Sequence, residues 1–286
     1  MTYETIGVRR LAGAIGAEIT GVDLAGPLSN RQAAEVHQAL NEHLAIFFRD
    51  QELTPEQEVE VGRLFGEPYQ IPFVTPKPGY PEIVEIVREP EDAGKPNFGG
   101  DWHSDMSFQE CPPMGSVLYA LEIPPYGGDT IWVNMEAAFE ALSAGMKAML
   151  DGLMAYHSGQ RSYGSKGRFA DADNEISQMR VAADESGDAL VAHPVVRRHP
   201  ETGRRGLFIN PIYTIRFIDM SEAESLPILD YLFEHALRPE FSCRFRWSWG
   251  AVAIWDNRNT MHYAIADYEG QRRVANRVTI AGDQPH

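Results

Sequence analysis

Apolar residues in this chain gather into short runs broken by glycine, proline and polar residues, a pattern that predicts strands more often than helices. The β-rich runs fall at 6–10, 17–22, 45–48, 83–87, 116–123, 130–133, 153–157, 191–197, 207–210, 242–247, 251–255 and 273–280. Four stretches read as helix instead. Ser29 can cap a helix on which Val36, Leu40 and Leu44 recur at four-residue spacing and share one face. Thr54-Pro55-Glu56-Gln57 fits a capping box with proline at the first helical position, starting a helix that runs toward Phe65 and stops at Gly66. The others span 135–150 and about 221–237, where Pro227 blurs the start. Strands without regular β-α alternation exclude a doubly wound sheet and predict a mainly β sandwich or jelly roll with flanking helices outside it.

Composition narrows this to one acidic globular unit over residues 1–286, with helical and loop insertions. At 286 residues and 43% hydrophobic content, the chain can bury a substantial core. Its 25 basic and 41 acidic residues give a net charge of −16, which repels phosphate backbones and anionic lipid, so neither nucleic acid nor membrane is expected as a partner. The apolar runs fall short of a transmembrane helix, no secretory h-region is visible, and Cys111 and Cys243 form no C-x-x-C pair. A cytoplasmic protein with reduced thiols is expected. Polar interruptions at 89–97 and 158–187, the latter carrying Asp171, Asp173, Glu175, Asp184 and Glu185, leave two readings open, lids over a site or plain surface.

Candidate chemistry begins at His103-Ser104-Asp105. In an extended segment, side chains two apart emerge on one face, so an imidazole and a carboxylate can share one metal ion. A histidine from a distant strand would complete a 2-His-1-carboxylate triad with open positions. Alone, His-x-Asp is a common pair. Its rival, His199-Pro200-Glu201, sits in a turn-forming run and reads as solvated. His37, His43 and His235 fall in predicted helices, where packing or surface roles are expected, and His157 and His193 at strand ends, where structural roles are; His286, the last residue, reads as mobile. His262 differs because it follows the strand 251–255 and the turn Asp256-Asn257-Arg258-Asn259, near the mouth of a barrel. Beyond it, Arg273, Ala275, Arg277 and Thr279 share one face of a strand, and Val274, Asn276, Val278 and Ile280 the other. If the apolar face packs under helices, two arginines point inward and call for two anionic groups; if the faces are reversed, both are solvated.

Together these residues identify a resemblance. Trp102-His103-Ser104-Asp105, Gly127-Gly128-Asp129-Thr130, Trp255-Asp256-Asn257-Arg258 leading to His262, then Arg273 and Arg277, resemble the taurine dioxygenase and 2,4-dichlorophenoxyacetate dioxygenase family across nearly the whole chain. The resemblance implies a double-stranded β-helix (jelly roll) core and an enzyme dependent on Fe(II), 2-oxoglutarate and O2. It implies iron ligation by His103, Asp105 and His262, with Thr130 and Arg273 binding the distal carboxylate of 2-oxoglutarate. Arg277 is implied as the anchor of a small anionic substrate, in a homo-oligomer, dimer or tetramer. Iron(II), one carboxylate, the 2-oxoglutarate dianion and Arg273 sum to zero, leaving Arg277 to balance a monoanion. A non-catalytic cupin-like binding protein and a zinc hydrolase are the competing classes, disfavoured by the triad's pairing with Arg273 and by the paucity of histidine and cysteine ligands.

Alignment with the taurine enzyme replaces its additional polar grip on the sulfonate by Ile71 and Gly99, and sets Tyr163 and Tyr213 at aromatic pocket positions, with Met106 beside the metal aspartate. Fewer donors and more apolar wall favour a bulkier anion. Runs such as Tyr80-Pro81-Glu82-Ile83-Val84 and Phe241-Ser242-Cys243-Arg244 resemble phenoxypropionate dioxygenases. An aryloxyalkanoate-like carboxylate, cleaved at its C–O bond after hydroxylation, is therefore the first expectation, with an alkylsulfonate, taurine or alkyl sulfate as the alternative.

Overall fold

The computed structural model describes residues 3–170 and 181–286; the acidic residues Asp171, Asp173 and Glu175 lie outside the described residues. Among the described residues there are fifteen strands: β1 (Gly7–Arg10), β2 (Ala17–Thr20), β3 (Ala45–Phe48), β4 (Ile83–Arg88), β5 (Gly115–Glu122), β6 (Thr130–Asn134), β7 (Met154–His157), β8 (Val191–Pro194), β9 (Val196–Arg198), β10 (Arg205–Leu207), β11 (Thr214–Phe217), β12 (Ser242–Phe245), β13 (Val252–Asp256), β14 (Thr260–Ala264) and β15 (Arg273–Ile280). The helices are α1 (Asn30–His43), α2 (Pro55–Arg63), α3 (Met135–Glu140), α4 (Ala144–Leu150) and α5 (Glu222–Ala236).

Two sheets make the jelly roll. The larger runs β1-β2-β3-β13-β5-β15-β4 and the smaller β12-β6-β14. Period-two alternation sorts their side chains into layers. Ala45, Phe47, Leu118, Ala253 and Trp255 of the large sheet meet Trp132 and Phe245 of the small one in a shared core. Their chain neighbours Ile46, Phe48, Val117 and Ile254 point outward, with Val278 and Ile280, against Val36 and Leu40 of α1 and Val59 and Val61 of α2. The opposite side of the small sheet, through Val133 and Met261, packs with Phe139 of α3 and Leu229 and Leu232 of α5. Arg273 and Arg277 therefore lie on the inner face of β15.

Capping boxes at Ser29, Thr54 and Ser221 start α1, α2 and α5, and α5 carries Pro227 in its interior without breaking. Several expectations shift. The single helix over 135–150 is two, because Ser143 caps a new start by accepting from Met146 N–H. The strand over 191–197 breaks at Val195, which bonds to Leu153 and Phe208 instead of continuing the ladder; the one over 207–210 is displaced to β10. β11 and β14 were not foreseen. His199 is fully buried, its Nε2 2.8 Å from Asp256 Oδ2, because the turn folds onto β13. His286 is tied by its carbonyl to Arg198 N–H at 2.8 Å.

Candidate active site

The site grows from one cross-strand contact. His103 N–H donates to His262 O at 3.2 Å and His262 N–H returns to His103 O at 2.8 Å, so the two residues are direct antiparallel partners. Their ring centroids stand 4.2 Å apart. Asp105 comes round beside them: its Oδ1 lies 3.4 Å from His103 Nε2 and 3.7 Å from His262 Nε2. All three are buried, with ligand atoms within 4.8 Å of one another, the one such cluster among the described residues. Only His103 is extended; Asp105 already lies in a turn.

The donor set suits a divalent cation. His103 Nδ1 lies 2.6 Å from the carbonyl of Asp101, an acceptor, so Nδ1 carries the proton and Nε2 offers its lone pair. Burial pushes the His262 imidazole well below its ordinary value, with His103 and Arg277 adding to the effect, so it is neutral at neutral pH. Burial alone would raise the Asp105 carboxyl, but the Arg277 guanidinium and the two histidines overcome it and hold it well below the usual carboxylate range. Its two oxygens divide their work: Oδ1 faces the histidines, while Oδ2 pairs with Arg277 Nη2 at 2.5 Å and lies 3.4 Å from Ser116 Oγ. Ser116 also accepts from Arg277 Nε and Nη2, at 3.2 and 3.1 Å.

Two adjoining cavities open from this cluster. One, with about 440 Å³ of unfilled space partly open to solvent, reaches from His103 and His262 to Thr130 and Arg273. Arg273 is buried with Nε unpartnered, and no carboxylate pairs with it among the described residues. Burial lowers its pKa, and the Trp247 ring centroid is 5.8 Å from its guanidinium carbon. Thr130 Oγ1 accepts from Trp247 Nε1 at 3.0 Å, leaving its own proton to donate. A buried cation with a neighbouring hydroxyl donor fits a carboxylate, and hence 2-oxoglutarate spanning from metal to arginine.

The second cavity, with about 530 Å³ of unfilled space partly open to solvent, is bordered by His103, Asp105 and Arg277 and walled by Ile71, Met106, Tyr163 and Tyr213. Gly99 borders both cavities. At φ +74° it takes a conformation most side chains avoid, and a Cβ there would stand 3.6 Å from His103 Cε1. Phe73 stacks on Tyr163 with centroids 5.1 Å apart. All eleven residues singled out from sequence thus line one of these two cavities or meet at the junction. The polar stretch at 158–187 contributes Tyr163, Phe169 and Arg168, and Arg168 pairs with Asp101 at the rim. Ser116, Asp101 and Trp247 escaped the sequence reading, since nothing local marks a residue whose partner is over a hundred positions away or is met through a main-chain carbonyl.

A jelly roll with a buried His-Asp-His cluster and, across the adjoining cavity, an arginine with no carboxylate partner among the described residues has the donor set of a non-haem iron oxygenase. The chain belongs to the TauD/TfdA family: the sequence profile "Taurine catabolism dioxygenase TauD, TfdA family" matches residues 7–279. It is 36% identical to an alkylsulfatase of Acinetobacter baylyi over 96% of this chain and 85% of that protein. It is equally 36% identical to an alpha-ketoglutarate-dependent sulfate ester dioxygenase of Pseudomonas putida, over 97% of this chain and 90% of that one. The 2,4-dichlorophenoxyacetate dioxygenase of Cupriavidus pinatubonensis is 32% identical over 93% and 94%. Among solved structures, a taurine dioxygenase from Burkholderia xenovorans superposes with TM-score 0.83 and 36% identity, covering 99% and 91%. AAD-2 in complex with Mn(II) and N-oxalylglycine superposes with TM-score 0.80 and 29% identity, covering 99% of each chain. The protein is a 2-oxoglutarate-dependent iron dioxygenase, using Fe(II), 2-oxoglutarate and O2. Among the described residues no helix is long and apolar enough to cross a membrane.

Proposed function

We propose that this enzyme hydroxylates the oxygen-bearing carbon of an alkyl sulfate ester. In this reading His103, Asp105 and His262 hold the iron, Arg273 and Thr130 bind the distal carboxylate of 2-oxoglutarate, and Arg277 meets the ester's anionic head. When bound, iron and 2-oxoglutarate supply the oxidising power, with 2-oxoglutarate losing CO2 to become succinate as O2 gives one oxygen atom to it and one to the substrate. The chain's part is to orient and exclude water. Arg277, fixed by Asp105 and Ser116, presents its guanidinium at the cavity wall, and Ile71, Met106, Ile212 and Phe169 surround an apolar tail. The target carbon is then held beside the metal cluster. Hydroxylation there converts C–H to C–OH on a carbon that also bears the sulfate oxygen. That carbon–oxygen bond breaks, the hydroxyl proton is lost, and aldehyde and inorganic sulfate leave.

The observation that carries this reading is the buried Arg277 guanidinium facing a cavity whose wall also carries Ile71, Met106, Phe169 and Ile212, in a chain whose 36%-identical relatives are named for sulfate esters. It displaces the aryloxyalkanoate expectation, because the sulfate-ester relatives, at 36% identity, are more similar than the 2,4-dichlorophenoxyacetate dioxygenase at 32%. Ile71 and Gly99 leave little polar grip for taurine. Substrate-dependent succinate release and free sulfate should be measured across alkyl sulfates of rising chain length, phenoxy acids and taurine. Alkyl sulfates are expected to exceed the other classes at least tenfold in kcat/KM, a gap of about 1.4 kcal/mol. A phenoxy acid that outperforms every alkyl sulfate would replace this substrate class.

A further inference from the structure

The three residues of the metal cluster are held by two kinds of backbone. His103 and His262 secure each other through the pair of main-chain hydrogen bonds that joins them. Asp105 lies beyond that pair, where the chain turns and Met106 takes φ +46°, a left-handed conformation that is strained for a non-glycine residue. Among the described residues no strand pairs with Asp105. Its N–H donates instead to Asn257 Oδ1 at 2.6 Å, and its carbonyl accepts from Asn257 Nδ2 at 3.0 Å. A side-chain amide offers the same donor and acceptor as a peptide group, so Asn257 stands where a neighbouring strand would. It is itself immobilised: Nδ2 also donates to Pro113 O at 3.1 Å and its N–H to Met114 O at 2.8 Å, and it is fully buried. The turn that carries it is braced by Asp256, held by His199 at 2.8 Å and by Arg258 at 2.6 Å.

We infer that Asn257 is a positioning residue for the carboxylate ligand, setting the Asp105 backbone so that Oδ1 faces the histidines while Oδ2 stays on Arg277. This rests on the ligand set proposed above. If Asn257 served only the local turn, its loss would lower stability without singling out metal affinity.

The test titrates metal-free protein with Mn(II), following the free-ion electron paramagnetic resonance signal below the melting temperature of every variant. Asn257→Ala is expected to raise the Mn(II) Kd about 10–100-fold, the usual cost of removing a residue that orients a metal ligand. His262→Ala should raise it further. Asn134→Ala is the control, since Asn134 is a comparably buried amide that caps α3 and bonds Ala14 O without touching the cluster; it should lower Tm and leave Kd unchanged. Asn257→Asp keeps an acceptor for Asp105 N–H but loses both donors, so an intermediate rise is expected, and this isosteric variant carries the measurement if Asn257→Ala does not fold. Wild-type Kd in the Asn257 variants, or an equal rise in Asn134→Ala, overturns the positioning role and leaves the ligand set standing. Wild-type Kd in His262→Ala overturns the ligand set and this inference with it.

Discussion

Arg273 and Arg277 sit four residues apart on the same face of β15, both nearly inaccessible at 7% and 5% exposure, yet their surroundings are opposite. Arg277 has an internal counterion, Asp105, and a hydroxyl, Ser116, that fixes its fork. Arg273 has an aromatic wall and a threonine, but no carboxylate among the described residues. One cation is thus part of the protein's own charge balance, and the other has no carboxylate partner among the described residues. The sum over iron, Asp105, 2-oxoglutarate and both arginines still leaves one positive charge for a monoanionic substrate. In the reading proposed above, the geometry changes the route: Arg277 pairs with Asp105 as well as lining the open cavity, and is not held free for the substrate alone.

The largest expected effect separates the two arginines in the metal-free protein. Arg277→Met should cost about 3–5 kcal/mol, because it leaves the Asp105 carboxylate buried without its cation. Arg273→Met should leave stability unchanged or raise it, since it removes a buried charge that has no carboxylate partner. Urea denaturation of both variants checks this, and equal losses would erase the distinction. In the loaded enzyme the order reverses for the cosubstrate: Arg273→Met should raise the KM for 2-oxoglutarate roughly 100-fold, equivalent to about 3 kcal/mol for a charge-assisted fork.

A smaller effect is expected at the cavity wall built from loops. Tyr163 and Phe169 come from the segment after β7, and no ladder fixes them. Phe169→Ala should shift preference toward longer alkyl chains, changing kcat/KM about tenfold, or about 1.4 kcal/mol, while the KM for 2-oxoglutarate stays put. Competing chain-length assays check it; a parallel rise in both KM values would mean that this wall also shapes the cosubstrate end.

The same division explains what was legible in the sequence. β15 could be read to the residue, because two-residue alternation assigns Arg273 and Arg277 to one face and Val278 and Ile280 to the other. His103 and Asp105 were visible as a spaced pair, and His262 as the histidine placed to join them. The strand carrying His262 was not visible, since Thr260–Ala264 pairs with β6, more than a hundred residues earlier. Asn257 lay inside a recognised motif, but its role depends on an amide meeting a turn 152 positions away. Buried His199 was misread for the same reason: proline and glycine signal the turn correctly, and nothing nearby reveals that the turn folds down onto Asp256.

The outer face of β15 extends the comparison across the strand. Between the two inward arginines, Asn276 points outward and donates to Glu58 Oε2 of α2 at 3.1 Å. Glu58 is fully buried, and burial pushes its carboxyl up to about 8, with the Asn276 hydrogen bond and the charge of Lys77 only partly opposing. Oε1 of Glu58 and Oδ1 of Asn276 both lack partners, which a proton on Glu58 would supply to one or the other. In the unfolded chain Glu58 titrates near its ordinary value of 4.5. Between these two values the native state therefore holds a proton that the unfolded state has released. Its contribution is fully present below about 4.5 and is lost as pH rises through about 8. Across that window the contribution should fall by up to about 1.4 kcal/mol per pH unit. Glu58→Gln keeps the shape and removes the titration, so the difference in unfolding free energy between wild type and variant, measured in urea at several pH values from 5 to 8, should track this slope. A pH-independent difference would place the Glu58 proton elsewhere and leave β15 with charged chemistry on its inner face alone.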